Sequence, residues 1–146
     1  MIVYLGSSVL APAYLADEPG HEQATSLLAD VEIGLITGNW TRIEVSGALV
    51  RAARAGRGDE PGLLELLDGD LGPDGPVTVV AADRKLIEER ALHLVREHAL
   101  WAMDAWHLAV AVPMLPNLAE PGEDIGFATR DETQSGVAVT LGLRLV

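Results

Sequence analysis

The chain contains no cysteine, which excludes disulfides and thiolate metal sites and fits a reducing, cytosolic setting. No apolar run reaches the length of a membrane span, which points to a soluble protein. The N-terminus lacks a basic segment and a small-residue cleavage site, so its apolar start reads as a first strand and not as a signal peptide. Internal repeats and low-complexity tracts are absent too. Cations are scarce: ten Lys and Arg stand against 22 Asp and Glu, for a net charge of −12. A field of that sign does not attract nucleic acid. It serves solubility, or it reflects a carboxylate cluster that needs divalent cations, or it suits a basic protein partner. Charge alone does not choose among these.

What is present suffices for a core. The 146 residues are 49% apolar and read as one domain over 1–146. Ile2 to Leu5 is a short apolar run with β-branched members, so a buried strand is expected. Gly6-Ser7-Ser8 breaks it, and Val9 to Leu15 has helical length. Asp17 to Gly20 makes a turn. His21 to Asp30 reads as a helix, Ile33 to Thr37 as a strand, and Thr41 to about Ala55 as a long helix closed by Gly56-Arg57-Gly58. A short helix at Leu63–Leu67 and a β-branched strand at Val77–Val80 follow. Asp83 caps the next helix, where Leu86, Ile87, Ala91, Leu94 and Val95 form a stripe. Met103 to Val112 is helical. Pro113 to Asp124, with three prolines, is expected as a loop. A strand at Ile125–Ala128, a helix at Asp131–Leu141 and a last strand at Leu143–Val146 complete the chain. Strands alternating with helices imply a mainly parallel sheet of about five strands covered on both faces, a three-layer α/β/α domain. Right-handed crossovers then put the strand ends at Gly6, Thr37, Ala81 and Thr129 on one edge, where α/β sheets bind ligands.

Three acids fall near that edge, and each has a structural alternative. Glu44 lies three residues after Thr41, the spacing of a capping box, so it either satisfies a helix N-terminus or projects to the edge as a metal ligand. Asp104 sits beside an apolar stripe, flanked by Met103 and Trp106; it is either a first-turn acid facing the helix dipole or an acid that needs a partner or an ion. His107 is one turn further on, a packed or solvated histidine or one half of a metal pair. His21, His93 and His98 lack motif spacing and read as surface residues. Asp131 directly follows a strand, with Thr129-x-x-Glu132 as a second box, and is a helix-start acid or a ligand. If the three cluster, their mutual repulsion is relieved by protons or by an oxygen-preferring cation such as Mg²⁺.

These segments resemble a known family. MIVYLGSSVLAPAYL is similar to the opening of PIN-domain nucleases, and among them the VapC toxins of toxin–antitoxin pairs, in which an acid follows the first strand and two hydroxyl residues follow the acid. TRIEVSGALVRA resembles the second-acid segment and maps it to Glu44. AMDAWHLA is similar to the signature D-A-L-H-L-A and maps the third acid to Asp104, with Trp106 in place of leucine. FATRDETQSGVAVTLGLRLV maps the fourth to Asp131. The chain departs at the first acid, where Gly6 stands. Ser7 and Ser8 match the supporting hydroxyls.

The resemblance implies a PIN-like fold and a Mg²⁺- or Mn²⁺-dependent endoribonuclease whose metal site is Glu44, Asp104, Asp131 and the Gly6 position. It also implies an RNA substrate, a VapB-type antitoxin with a basic tail, a homodimer, a cytoplasmic location and no membrane association. Arg51 and Arg54, about one turn apart, are candidate phosphate contacts, or simply a solvated helix face; Arg57 lies just past that helix. Gly6 leaves two readings: a disarming replacement of aspartate, reachable by one base change, or a natural glycine in a weakened nuclease or a module that binds antitoxin or RNA without cutting. A doubly wound phosphate binder is a third alternative. It calls for a Gly-rich loop after strand one, and Gly6-Ser7-Ser8 offers one glycine and no lysine.

Overall fold

The computed structural model describes all residues, 1–146. Five strands form one parallel sheet in the order β3-β2-β1-β4-β5: β1 Ile2–Leu5, β2 Gly34–Gly38, β3 Val77–Val80, β4 Ile125–Ala128 and β5 Arg144–Leu145. Every residue of β1 is buried, as a central parallel strand covered on both faces requires. Helices α1 Ser7–Leu10, α2 His21–Ala29, α3 Asn39–Arg54 and α4 Glu60–Asp70 precede β3. Helices α5 Arg84–His98 and α6 Ala102–Leu118 join β3 to β4, and α7 Glu132–Thr140 joins β4 to β5.

Alternate residues of β1 feed two separate cores. Ile2 and Tyr4 face Leu108, Ala109 and Leu115 of α6 and Ile87 and Leu94 of α5. Val3 and Leu5 face Leu10, Val45, Leu49 and Leu67, from α1, α3 and α4. The sheet is thus the middle of three layers. The connection leaving β1 runs on the α1–α4 side towards β2, and the one leaving β4 runs on the α6–α7 side towards β5. The carboxyl ends of β1 and β4 therefore flank the point where the winding reverses, the usual ligand crevice of such sheets.

Four local expectations differ. Helix α6 does not stop at Val112 but runs through Pro113 and Pro116 to Leu118. The helix is buried on most sides, and the apolar burial of residues such as Leu115 outweighs the helical bonds that the two prolines cannot donate. Helix α4 spans eleven residues and not five: Asp59 caps it through the Gly62 N–H at 2.8 Å, and Pro61 sits in its first turn, where no N–H is needed. The chain after Ser7 forms one short α-turn, and Pro12 continues it as a 3-10 turn over Ala11–Tyr14. Leu86 faces solvent; Ile87, Ala91 and Leu94 alone make the fully buried stripe of α5. Asp83 caps α5 as expected, accepting from the Leu86 N–H at 3.0 Å. No helix is long and apolar enough to cross a membrane.

Candidate active site

Three helices begin at the carboxyl edge of the sheet, and each brings one of the expected acids. Glu44 lies in the second turn of α3. That helix begins at Asn39, so Thr41 is not its N-cap and no capping box forms. Thr41 is instead buried, its hydroxyl 2.6 Å from Thr37 Oγ1, while Thr37 donates to the Leu5 carbonyl at 2.7 Å. Glu44 is thereby free of the backbone and turns to the edge. Its Oε2 accepts from Ser7 Oγ at 2.8 Å and from His107 Nε2 at 2.6 Å.

His107 is the residue whose part was least visible beforehand. It is 3% exposed and packs edge-on against Tyr4. Tyr4 Oη accepts from the Gly38 N–H at 3.1 Å and lies 2.9 Å from His107 Nδ1. The Glu44 carboxylate can only accept, so His107 Nε2 is assigned as the donor in that contact. Ser7 Oγ, 3.2 Å from the same Nε2, completes the cluster. Burial raises the Glu44 carboxyl pKa, but the hydrogen bonds from His107 and Ser7 outweigh it and leave the group below its ordinary value.

Asp104 occupies the first turn of α6 and Asp131 is the N-cap of α7. Asp131 Oδ1 accepts from the Gln134 N–H at 2.7 Å, so Asp131 itself caps the helix, two residues on from the expected Thr129–Glu132 box. Gln134 ties the two acids together. Its Oε1 accepts from Thr129 Oγ1 at 2.6 Å, and its Nε2 donates to the Asp104 carbonyl at 2.9 Å. The Asp104 carboxyl is half-buried. Burial raises its pKa, and the charges of Asp131 and Glu44 push the same way against His107. Negative charge here exceeds what the protein's own donors offset.

Gly6 follows β1, its N–H bonded to the Ala128 carbonyl at 2.9 Å. Its φ of −75° and ψ of 154° suit any residue. A Cβ there would lie 3.1 Å from Ala128 O, 3.8 Å from Thr129 Cβ and 3.9 Å from Gln134 Oε1, on the β4–α7 side of the crevice. The two serines part ways. Ser7 serves Glu44, whereas Ser8 Oγ accepts from the Arg130 N–H at 3.0 Å and meets Thr129 Oγ1 at 3.3 Å. Arg51 has no carboxylate partner, Arg54 stands 3.9 Å from Glu60, and Arg57 grips Asp17 and Glu18 at 2.7–2.8 Å. Trp106 does not cover Asp104 alone: it meets Trp40 edge to face, 5.8 Å between ring centres, and the pair walls a cleft of about 240 Å³ towards the end of β3.

The donor chemistry fits a hard divalent ion. The acids supply carboxylate oxygens, and Asp104 carries unrelieved charge between two others. As placed, no three Asp, Glu or His side chains stand close enough together to share one ion.

The three-layer α/β/α arrangement with this strand order is a PIN-like fold. Two solved structures share the fold. One is VapC20 of Mycobacterium tuberculosis, described as a sarcin–ricin loop cleaving toxin: the TM-score is 0.59 and the identity 22%, over 77% of this chain and 82% of that one. The other is VapBC2 from Rickettsia felis, bound to a DNA fragment from their promoter: the TM-score is 0.60 and the identity 13%, over 100% of this chain and 98% of that one. No protein-family model and no curated protein matches the chain.

Proposed function

We propose that this chain is a VapC-type toxin: an endoribonuclease that uses Mg²⁺ or Mn²⁺, weakened at the position of Gly6. The observation that carries this reading is geometric: α3, α6 and α7 bring Glu44, Asp104 and Asp131 to the β1–β4 crevice, with Glu44 held by Ser7 and His107 and not by the backbone. The shared fold with a toxin described as cleaving RNA supports it. When bound, the divalent ion would neutralise the acids and the scissile phosphate and acidify the attacking water. Glu44, Asp104 and Asp131 would hold it. Ser7 and His107 orient Glu44, and Ser8 orders the Thr129–Arg130 side. Of the candidate phosphate contacts, Arg51 would serve in preference to Arg54, which is paired with Glu60. The fold match to a VapBC complex supports a VapB-type antitoxin as partner, and the net charge of −12 suits a basic tail from it. A homodimer acting in the cytoplasm completes the proposal.

A second reading follows from Gly6 itself. A site short of its first acid also suits a module that binds antitoxin or RNA without cleavage. RNA cleavage by this chain and by Gly6→Asp, side by side with Mg²⁺, Mn²⁺ and EDTA, separates the two. Metal-dependent cleavage restored by Gly6→Asp supports the nuclease. No cleavage by either across a broad panel of structured RNAs favours the binder.

A further inference from the structure

Most cations of this acidic protein are spoken for. Arg42, Arg54, Arg57, Arg84, Lys85 and Arg144 pair with carboxylates. Of the four arginines left, Arg90 and Arg96 lie on α5. The other two, Arg51 of α3 and Arg130 of the β4–α7 turn, come from distant segments and line one cleft of about 420 Å³, together with Ser8 and Glu18. We infer that this cleft carries the phosphodiester backbone of the RNA strand next to the cleavage point. The inference rests on the nuclease reading and adds to it the path that the strand takes.

Each member of the cleft is coupled to a member of the acid site. Arg51 follows Glu44 by seven residues, two turns along the same stripe of α3 and about 10 Å away along the axis. Helical side chains lean towards the N-terminus. The Arg51 guanidinium does so, lying over Gly47, whose Cβ would be only 3.1 Å from Nη1. It therefore reaches back towards Glu44. Arg130 directly precedes Asp131, and its N–H is held by Ser8, the neighbour of the Ser7 that bonds Glu44. The Arg130 guanidinium is pinned by the Pro19 carbonyl. It lies against Gly20, where φ is +90° and a Cβ would stand 2.9 Å from Nη1, so that turn needs a glycine for two reasons. Arg57, also in the wall, is neutralised by Asp17 and Glu18.

The result is a positive lobe abutting a negative one. The acids can meet a phosphate only through a cation, whereas Arg51 can meet a neighbouring phosphate directly with its whole guanidinium, and Arg130 with the donors that the Pro19 carbonyl leaves free. An acidic peptide would satisfy the arginines too, but it gains nothing from their continuity with the acids. That continuity favours RNA.

The test is binding of a fluorescein-labelled single-stranded oligoribonucleotide, read by anisotropy in EDTA across a salt series. Parent, Arg51→Gln, Arg130→Gln and the control Arg96→Gln are compared, with Arg130→Lys to preserve the charge should Arg130→Gln loosen the turn. Each Gln variant in the cleft should bind roughly tenfold more weakly and flatten the slope of log K against log salt by about 0.7. Arg96→Gln should leave both unchanged, and Arg130→Lys should keep the slope. Slopes equal to the parent's in both cleft variants overturn the inference, as does a parent that binds no RNA. It also fails if polyglutamate occupies the cleft in an Arg51-dependent way and RNA does not. The nuclease reading is judged separately, by metal-dependent cleavage with Gly6→Asp. Cleavage with unchanged slopes removes the cleft alone; altered slopes without cleavage remove the nuclease alone.

Discussion

Placing an acid at position 6 should change how the protein answers to metal more than how it folds. The backbone at Gly6 already has a conformation open to aspartate, and glycine is itself a fair N-cap, so exchange there is worth only a few tenths of a kcal/mol through capping. Two effects oppose it without metal. The new Cβ presses on Ala128 O at 3.1 Å, and a fourth carboxylate joins a crevice where Asp104 is already pushed up by burial, Asp131 and Glu44. We expect Gly6→Asp to cost about 1 kcal/mol in EDTA, roughly 2–4 °C in Tm. With metal the sign reverses. An added direct ligand should tighten binding at least as much as an outer-shell partner does, about 10–100-fold. At metal concentrations well above both dissociation constants, that ratio is about 1.4–2.7 kcal/mol of extra stabilisation of the native state. The variant should then gain about 3–10 °C more than the parent on adding Mn²⁺ or Mg²⁺. Differential scanning fluorimetry over a millimolar titration reads this directly. Identical metal-dependent shifts for the two proteins would refute the placing of position 6 in the ion's coordination sphere. Absence of any shift in either would refute the metal site as a whole.

Three further outcomes follow from the same site. Asp104→Asn should raise the Tm of the metal-free protein at neutral pH and abolish its metal response. The raised carboxyl binds its proton more tightly folded than unfolded, so parent stability falls as pH climbs from the ordinary carboxylate value through the folded one, and urea titrations of the variant should lack that fall. His107→Ala strips Glu44 and Tyr4 of a buried partner and should cost about 2–3 kcal/mol, roughly 5–10 °C in Tm, with a matching loss of metal affinity by calorimetry. Gly38→Ala, whose new Cβ would stand 2.9 Å from Tyr4 Oη, should cost about 1–2 kcal/mol by displacing that hydroxyl; unchanged urea unfolding would show that Tyr4 is not needed to hold His107.

Gly6 is not a glycine that the fold requires. Its φ is negative and its ψ extended, and the one close approach, to Ala128 O, is a matter of a few tenths of an ångström. Gly20 is the contrast, with a positive φ and a guanidinium where its side chain would be. The difference separates a conformational glycine from a chemical one. At position 6 the consequence of having no side chain falls on charge: a carboxylate there would add to the repulsion from Asp131 and Glu44 that already raises Asp104.

The layers were legible because buried parallel strands announce themselves as short β-branched runs: Ile2–Leu5 and Val77–Val80 needed no tertiary information. The proline rule failed at α6 because it is a local rule and the helix is held by burial on several sides. Glu44 shows the sharper limit. Thr41-x-x-Glu44 has the spacing of a capping box, but the same spacing occurs wherever a helix has started two residues earlier. What distinguishes the cases is His107, 63 residues away, which no local pattern contains. Gln134 is equally silent in sequence, although it joins the Asp131 cap to the Asp104 backbone. Local spacing can put an acid near the strand-end edge. Whether that acid is spent on the backbone or left free of it is decided by its non-local donors, and at Glu44 those donors are Ser7 and a histidine that is itself buried against Tyr4.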